Sequence, residues 1–441
     1  MKKPDKKPEF LCMAPWTHTY ISPQSERRLC CASREPAQNF KQYIDTKAGT
    51  GDYKPLKLED WWNSEHVRQV RVKMMNGDIP DECQVCNHKL LNTDVYRSYF
   101  YHLFKHKYDS IWDSTDNEGY TTMKPVSWDY RFSNLCNFKC RMCGDMLSSS
   151  WESEERKHNM INWNDSKNNW MDPNVRPLIK EFQYNQVDKE FEEAVESHRV
   201  EEVYWVGGEP LMMEEHWRYM KRIIELGDGD NVYARYNTNL SQINYKGISL
   251  YNDILCNLRD WQVCASIDGT GEIGEYIRTG LSWPKFLENF QSGLDIATHE
   301  RQMRLDFTLT LPGLFELKNM LELSKELNTT ILSKVTFTFS PDILMSPLAL
   351  PRPILRRFIE EFLDYTNKPN AYTQKQQPLI DTMCHLRDRA TTQEQWPDEY
   401  LEGWRKGKAR IETIDDLRGG LRFTDIIKQD EEVYEWYNSI R

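Results

Sequence analysis

Six segments alternate apolar and polar positions with a period of two, or stay apolar for a few residues, as β-strands do. They are Val126 to Phe132, with Trp128, Tyr130 and Phe132 on one face, then Val203 to Val206, Val232 to Tyr236, Trp261 to Ile267, Met303 to Leu309 and Val335 to Phe339. Between most of them the apolar spacing widens to three and four, the period of an amphipathic helix. Trp217, Met220, Ile223 and Ile224 form one such stripe, Phe286, Leu287, Phe290 and Leu294 another, and Leu317, Met320 and Leu321 a third. Strand and helix therefore alternate. That order implies right-handed crossovers and a parallel sheet with helices outside it, and six units suit an open, partial (β/α)6 TIM-like barrel better than a closed eightfold one. Asn159 to Asn174, rich in Asn, Trp and Asp, reads as an inserted loop rather than core.

The flanks differ from this α/β stretch. Before Val126 there are few long apolar periodicities but five cysteines, which predicts a small domain at residues 1–115 held partly by a metal centre, ahead of the barrel at 124–342. After Ser346 a Pro-rich turn leads into a helix carrying Leu355, Phe358, Ile359, Phe362 and Leu363, so 346–441 is read as a helical extension whose last part is polar, aromatic and weakly patterned.

Charge narrows the possibilities. The 57 Lys plus Arg against 68 Asp plus Glu leave a net −11, which argues against general nucleic-acid binding. No run approaches the roughly 20 apolar residues of a membrane span, and Met1 to Pro8 lacks the apolar stretch of a signal peptide, so the expectation is a soluble cytoplasmic protein with no membrane partner.

Eight of the eleven cysteines fall in tight groups: Cys12 with Cys30 and Cys31, Cys83 with Cys86, and Cys136 with Cys140 and Cys143. In a reducing compartment such groups are more often metal or iron-sulfur ligands than disulfides. Cys136 to Cys143 has the spacing C-x3-C-x2-C directly after the first predicted strand, a spacing expected by chance only roughly 0.007 times at this cysteine frequency. Three thiolates on one short loop can bind three irons of a 4Fe-4S cluster and leave the fourth open to an amino-carboxylate ligand, whereas a structural zinc site is closed by a fourth protein ligand.

This triplet resembles that of the radical S-adenosylmethionine (SAM) enzymes, and the segments after it follow that family's order. Gly207-Gly208-Glu209-Pro210 resembles the strand-end motif that holds the methionine amino group of SAM. Asn237, Thr238 and Asn239 resemble the third-strand segment of the same pocket, and Ser266 and Asp268, with Arg278 behind them, resemble the fourth-strand segment that meets the ribose and carboxylate. These groups also fall at the carboxyl ends of predicted parallel strands, where α/β barrels place their sites. The glycines let the backbone approach a ligand closely, and the carboxylate beside them can accept from an ammonium.

Cys12 to His18, the turn up to Cys31 and Asp81 to Cys86 resemble the auxiliary-cluster module called twitch or SPASM, here ahead of the barrel instead of behind it, with the reduced cysteine number of the twitch form. The resemblance implies a second 4Fe-4S cluster on Cys12, Cys30, Cys83 and Cys86, at the mouth of the barrel. The family usually has Gly where Ser25 stands, which leaves Cys30 and Cys31 as alternatives, and counting from that turn favours Cys30, with Cys31 on the other face of a strand. His18 and His88 are possible substitute ligands, and a zinc site on four of these thiolates is the rival reading.

The resemblance further implies reductive cleavage of SAM to a 5′-deoxyadenosyl radical, hydrogen abstraction from a substrate, and an electron donor such as flavodoxin or ferredoxin. Relatives with auxiliary clusters commonly modify peptides, so oxidative modification of a peptide or protein side chain is expected. Radical chemistry on a small molecule or sugar is the alternative, and a zinc-stabilised binding protein without redox activity is the reading from another class. No residue other than these ligands stands out as catalytic.

Overall fold

Side-chain alternation sets which way each strand faces. The computed structural model describes residues 2–33, 55–87, 95–336, 343–389 and 397–441. The strands there are β1 His18–Ile21, β2 Arg27–Arg28, β3 Ser127–Tyr130, β4 Glu202–Trp205, β5 Tyr233–Thr238, the short pair β6 Asn244–Tyr245 and β7 Ile248–Ser249, β8 Asp260–Ile267, β9 Met303–Leu309 and β10 Thr330–Val335. The chain forms two compact units: Met1–Cys136, Asp145–Asn237 and Asn244–Trp261 make the first, and Asn137–Gly144, Thr238–Ile243 and Gln262–Arg441 the second. Both are α/β with mostly parallel pairing, and no closed barrel is found among the described residues.

In the first unit the strand order is β5-β4-β3-β1-β2, parallel except for β2. The N-terminal segment thus shares a sheet with the chain after residue 124. One face is aromatic: the rings of Trp128, Tyr130 and Phe132 meet Phe191, and Phe132 also meets Trp205 and Tyr219. The register puts polar residues on the other face, with His18 opposite Ser127, Tyr20 opposite Asp129, Ser127 opposite Glu202 and Tyr204 opposite Arg235. All of these are buried, and buried polar groups are costly unless they bond one another. They do so: His18 Nδ1 and Ser127 Oγ lie 2.6 Å apart, Ser127 donates to Glu202, and Tyr99 Oη donates to Glu202 at 2.9 Å. The Arg235 guanidinium lies 5.1 Å from the Tyr99 ring and 4.9 Å from that of Tyr204.

The second unit holds β10-β9-β8, all parallel. Val263, Ala265, Ile267, Leu305, Phe307 and Leu309 are buried at alternate positions. The intervening positions pair Ser266 with Asp306 and Lys334 with Thr308, and Asp306 takes Arg304 at 2.7 Å and Lys334 at 3.2 Å. Helices Arg352–Thr366, Gln377–Arg389, Pro397–Arg418, Phe423–Ile427 and Glu431–Ser439 follow. No helix among the described residues is long and apolar enough to cross a membrane.

Two sequence expectations are corrected. The sixth strand of the alternating series begins at Thr330 and runs to Val335, earlier than the expected start at Val335, and 337 to 339 of the expected strand lie outside the described residues. The preceding helix, Leu317–Glu326, stops at Leu327, and Asn328 takes a left-handed φ of 47°, a helix-ending conformation that turns the chain into the strand two residues later. Asn159 to Asn174 is not all loop: Trp170 and Met171 are fully buried in a small cluster with Val175 and Ile179. Its polar composition hid two residues large enough to make a local core.

Candidate functional site

The N-terminal cysteines are brought together by three short elements. Helix Ala14–Thr17 follows Cys12 and leads into β1, β2 returns antiparallel so that Cys30 comes back towards the start of β1, and the 3-10 helix Asp81–Asn87 carries Cys83 and Cys86. Cys12, Cys30, Cys83 and Cys86 line one cavity, with Met74, Tyr96, Arg97 and Phe100 among its other walls. None of the cysteines forms a disulfide. Among the described residues no three His, Cys, Asp or Glu side chains converge on a single-ion position. Four thiols spread around a cavity suit a cluster that takes one thiolate per iron. Burial pushes the Cys12 thiol up to about 12 and those of Cys30 and Cys83 upwards as well, so ligation must displace protons. Cys31 does not line this cavity and hydrogen-bonds the Asp129 carboxyl instead.

The cavity's position corrects the expected one. The Phe100 ring lies 4.5 Å from that of His18, the first residue of β1, tilted by 44°, and its neighbour Tyr99 bonds Glu202, the first residue of β4. The cavity therefore belongs to the amino ends of these strands, whereas Gly207 to Pro210 follow the carboxyl end of β4.

At that carboxyl end, Gly207 has a φ of 132°, and a Cβ on Gly208 would stand 2.2 Å from Leu135 O. Both positions need glycine. Glu209 N donates to Leu135 O at 2.7 Å, which ties the motif to the residue before Cys136. The buried Glu209 side chain accepts from Leu211 N at 3.1 Å and caps the turn Pro210–Met212. Asn237 accepts from Tyr204 Oη at 2.9 Å, and Cys136 N donates to Ser149 Oγ at 3.1 Å.

Cys140 and Cys143 belong to the second unit. Lys139 N donates to Thr279 O and Arg141 N to Ile277 O, each at 2.8 Å, so the loop lies along 277–279 like a short strand. A Cβ on Gly280, whose φ is 113°, would stand 2.8 Å from Phe138 Cδ1. Asn239 Nδ2 donates to Asn137 Oδ1 at 3.0 Å, and the Thr238 hydroxyl accepts from Leu240 N at 2.9 Å. Ser266 is half-buried opposite Asp306. Arg278 holds Asp268 with Nε at 2.7 Å and Nη2 at 3.1 Å, and its Nη1 stands 3.9 Å from Cys140 Sγ. Asp268 also accepts from Thr308 N at 3.0 Å. The guanidinium is thus turned onto a carboxylate and a cysteine thiol of its own chain.

Residues 12–87 match the SPASM iron-sulfur cluster-binding domain. The SPASM segment begins on Cys12 and ends one residue past Cys86, so it takes in all four cavity thiols and lies in the N-terminal part of the chain. A comparison with curated proteins gives no match. Within the segment, Ser25 has a left-handed φ of 67°, the conformation that explains a glycine at this turn in relatives. His18 bonds Ser127 and burial lowers its pKa to about 3, so it serves the polar face and does not line the cavity. His88 lies outside the described residues.

Sequence reading missed the second half of each alternation. Trp128, Tyr130 and Phe132 were legible as one face, and the same period places Ser127 and Asp129 on the other, beside His18 and Glu202. It also missed Asp415 and Arg418, which no local motif marks and which contact the cysteine loop from the C-terminal helix.

Proposed function

We propose that the protein is a radical SAM enzyme of the SPASM/twitch type, with the SPASM segment ahead of a partial (β/α)6 core at 124–342, and that it oxidatively modifies a peptide or protein side chain. The observation that carries this reading is the set of four thiols around one cavity inside a segment matching an iron-sulfur domain found in radical SAM oxidoreductases. Cys12, Cys30, Cys83 and Cys86 would hold the auxiliary 4Fe-4S cluster, and Cys136, Cys140 and Cys143 the SAM-binding one. When bound, SAM and a cluster with one open iron supply a 5′-deoxyadenosyl radical that takes hydrogen from an unreactive C–H bond.

The chain's own residues bind, orient and balance charge. Gly207 and Gly208 let the strand end lie against the backbone before Cys136, and Glu209, whose N–H bonds that backbone, would meet the SAM ammonium with its carboxylate. Asn237, Thr238, Asn239, Ser266 and Asp268 complete the SAM-facing set. Arg278 brings positive charge to the Cys140 thiolate, and Asp268 holds it there. A flavodoxin or ferredoxin supplies the electron.

Anaerobic reconstitution tests the reading. About eight irons per chain are expected, with 5′-deoxyadenosine formed from SAM under reduction and a cytoplasmic donor protein able to replace the chemical reductant. The variant Cys136→Ala/Cys140→Ala/Cys143→Ala should keep about half the iron and form no 5′-deoxyadenosine. Colourless, zinc-loaded protein, or product at the wild-type rate in the triple variant, refutes the proposal.

A further inference from the structure

The loop between Cys136 and Cys143 is held on the side away from its cysteines by a part of the chain that carries no motif. Helix Pro397–Arg418 is anchored near its start, where Trp404 Nε1 donates to Ala349 O at 2.8 Å and Gly403 packs closely against Ile343, a Cβ there standing 3.0 Å from Ile343 Cδ1. Its far end reaches the cysteine loop. Asp415 there is buried and takes three groups: Arg141 at 2.7 Å, Tyr276 Oη at 3.2 Å and Phe423 N at 2.8 Å. Arg141, between Cys140 and Cys143, also donates through Nε to Tyr276 O at 2.9 Å, and its guanidinium lies 3.7 Å from the Tyr276 ring centroid. One turn further on, Arg418 Nη1 donates to Lys139 O at 2.8 Å and to Thr279 Oγ1 at 3.1 Å.

These contacts fix the residues next to Cys140 on both sides. Lys139 is pinned through both backbone groups, its N–H by Thr279 O and its carbonyl by Arg418. Arg141 is pinned through its backbone N–H by Ile277 O and through its side chain by Asp415. A loop held at both neighbours of Cys140 before metal arrives presents that thiol in one geometry. Helix Pro397–Arg418 buries a carboxylate against this loop, an expensive choice that core packing alone does not call for.

We infer that helix Pro397–Arg418 is a clamp on the cysteine loop, with Asp415 and Arg418 as positioning residues that hold Cys140 and Cys143 in ligand geometry. The inference rests on the proposed function for the identity of the cluster this loop carries. Neither residue touches the cluster or SAM. They act through Arg141 and Lys139, and their loss loosens one cluster while leaving the one on the SPASM segment untouched.

The test uses the full-length, reconstituted protein and two measurements: the rate at which a ferrous chelator strips iron, and the SAM-induced change in the electron paramagnetic resonance spectrum of the reduced protein. Arg418→Met should release about half of its iron at least about tenfold faster than wild type, with the other half unchanged, and should show a weakened SAM-induced change. Arg418→Lys, which can still donate to Lys139 O, should recover most of both. Asp415→Asn should behave like Arg418→Met, and if it does not fold, Arg418→Met decides alone. Release at the wild-type rate with a wild-type SAM response overturns the clamp, and so does equal acceleration of all the iron, which signals general destabilisation. A wild-type protein without any SAM response, together with selective iron loss in Arg418→Met, refutes the radical SAM reading and leaves the clamp standing.

Discussion

Replacing Arg278 by Met removes one partner of an enclosed ion pair beside the cysteine loop. Asp268 has no exposed side-chain surface and Arg278 only 11%, and the two share contacts of 2.7 and 3.1 Å. Burial pushes the Asp268 carboxyl above its ordinary range, and Arg278 is the main influence holding it down. Without the guanidinium, Asp268 keeps a backbone donor, Thr308 N at 3.0 Å, and a buried charge. Breaking a buried pair from one side costs about 3–5 kcal/mol, which for a unit of this size lowers the unfolding midpoint by on the order of 10 °C. The sign with pH follows from the carboxylate. Losing Arg278 raises its folded-state pKa further, so the folded state keeps a proton that the unfolded state gives up, and stability is lost as pH rises through that raised value. The deficit should therefore be larger at pH 8 than at pH 5 and shrink as falling pH returns the proton to Asp268, which then no longer needs a partner. The double variant Arg278→Met/Asp268→Asn should regain most of the loss at pH 8, because no charge is left stranded. Anaerobic thermal unfolding at the two pH values reads all of this. A single variant within about 2 °C of wild type at pH 8, a deficit independent of pH, or a double variant no better than the single one refutes the reasoning.

Two further outcomes follow from other parts of the first unit. Cys30→Ser should remove about half the iron and Cys31→Ser none, since only Cys30 lines the cavity; equal losses on iron assay would return Cys31 to the ligand set. Burial raises the Glu202 carboxyl from 4.5 to about 7, against the donors Ser127 and Tyr99, so native protein loses up to about 3 kcal/mol as pH rises through that window. Glu202→Gln keeps acceptor and shape without the charge, so its thermal midpoint should gain on wild type steadily from pH 5 to 8; parallel midpoint curves would show that Glu202 does not titrate there.

The parts of this protein legible in its sequence are those whose physical cause is local. Period-two alternation marked Met303 to Leu309 as a strand with the bounds it has, because side chains on neighbouring residues point to opposite faces whatever the strand pairs with. Gly207 and Gly208 were legible because a left-handed φ and a 2.2 Å approach leave no other residue type. Cys136, Cys140 and Cys143 were legible as a group because cysteines within one eight-residue stretch need no tertiary fold to be neighbours in the chain. Ser25 was legible as a departure, though not as a residue that would take the left-handed turn anyway.

Partnership between distant segments was another matter. His18 meets Ser127 across 109 positions, and Arg418 meets Lys139 across 279. A strand's own pattern states that it has two faces, but only pairing states which residue of which strand stands opposite, and a slip of one residue exchanges the faces. Counting from the turn at Ser25 favoured Cys30 over Cys31, and the tertiary structure shows what each thiol faces. The two are adjacent in the chain and identical in kind. The return of β2 along β1 and the turn after it aim one thiol at the cavity and the other at Asp129.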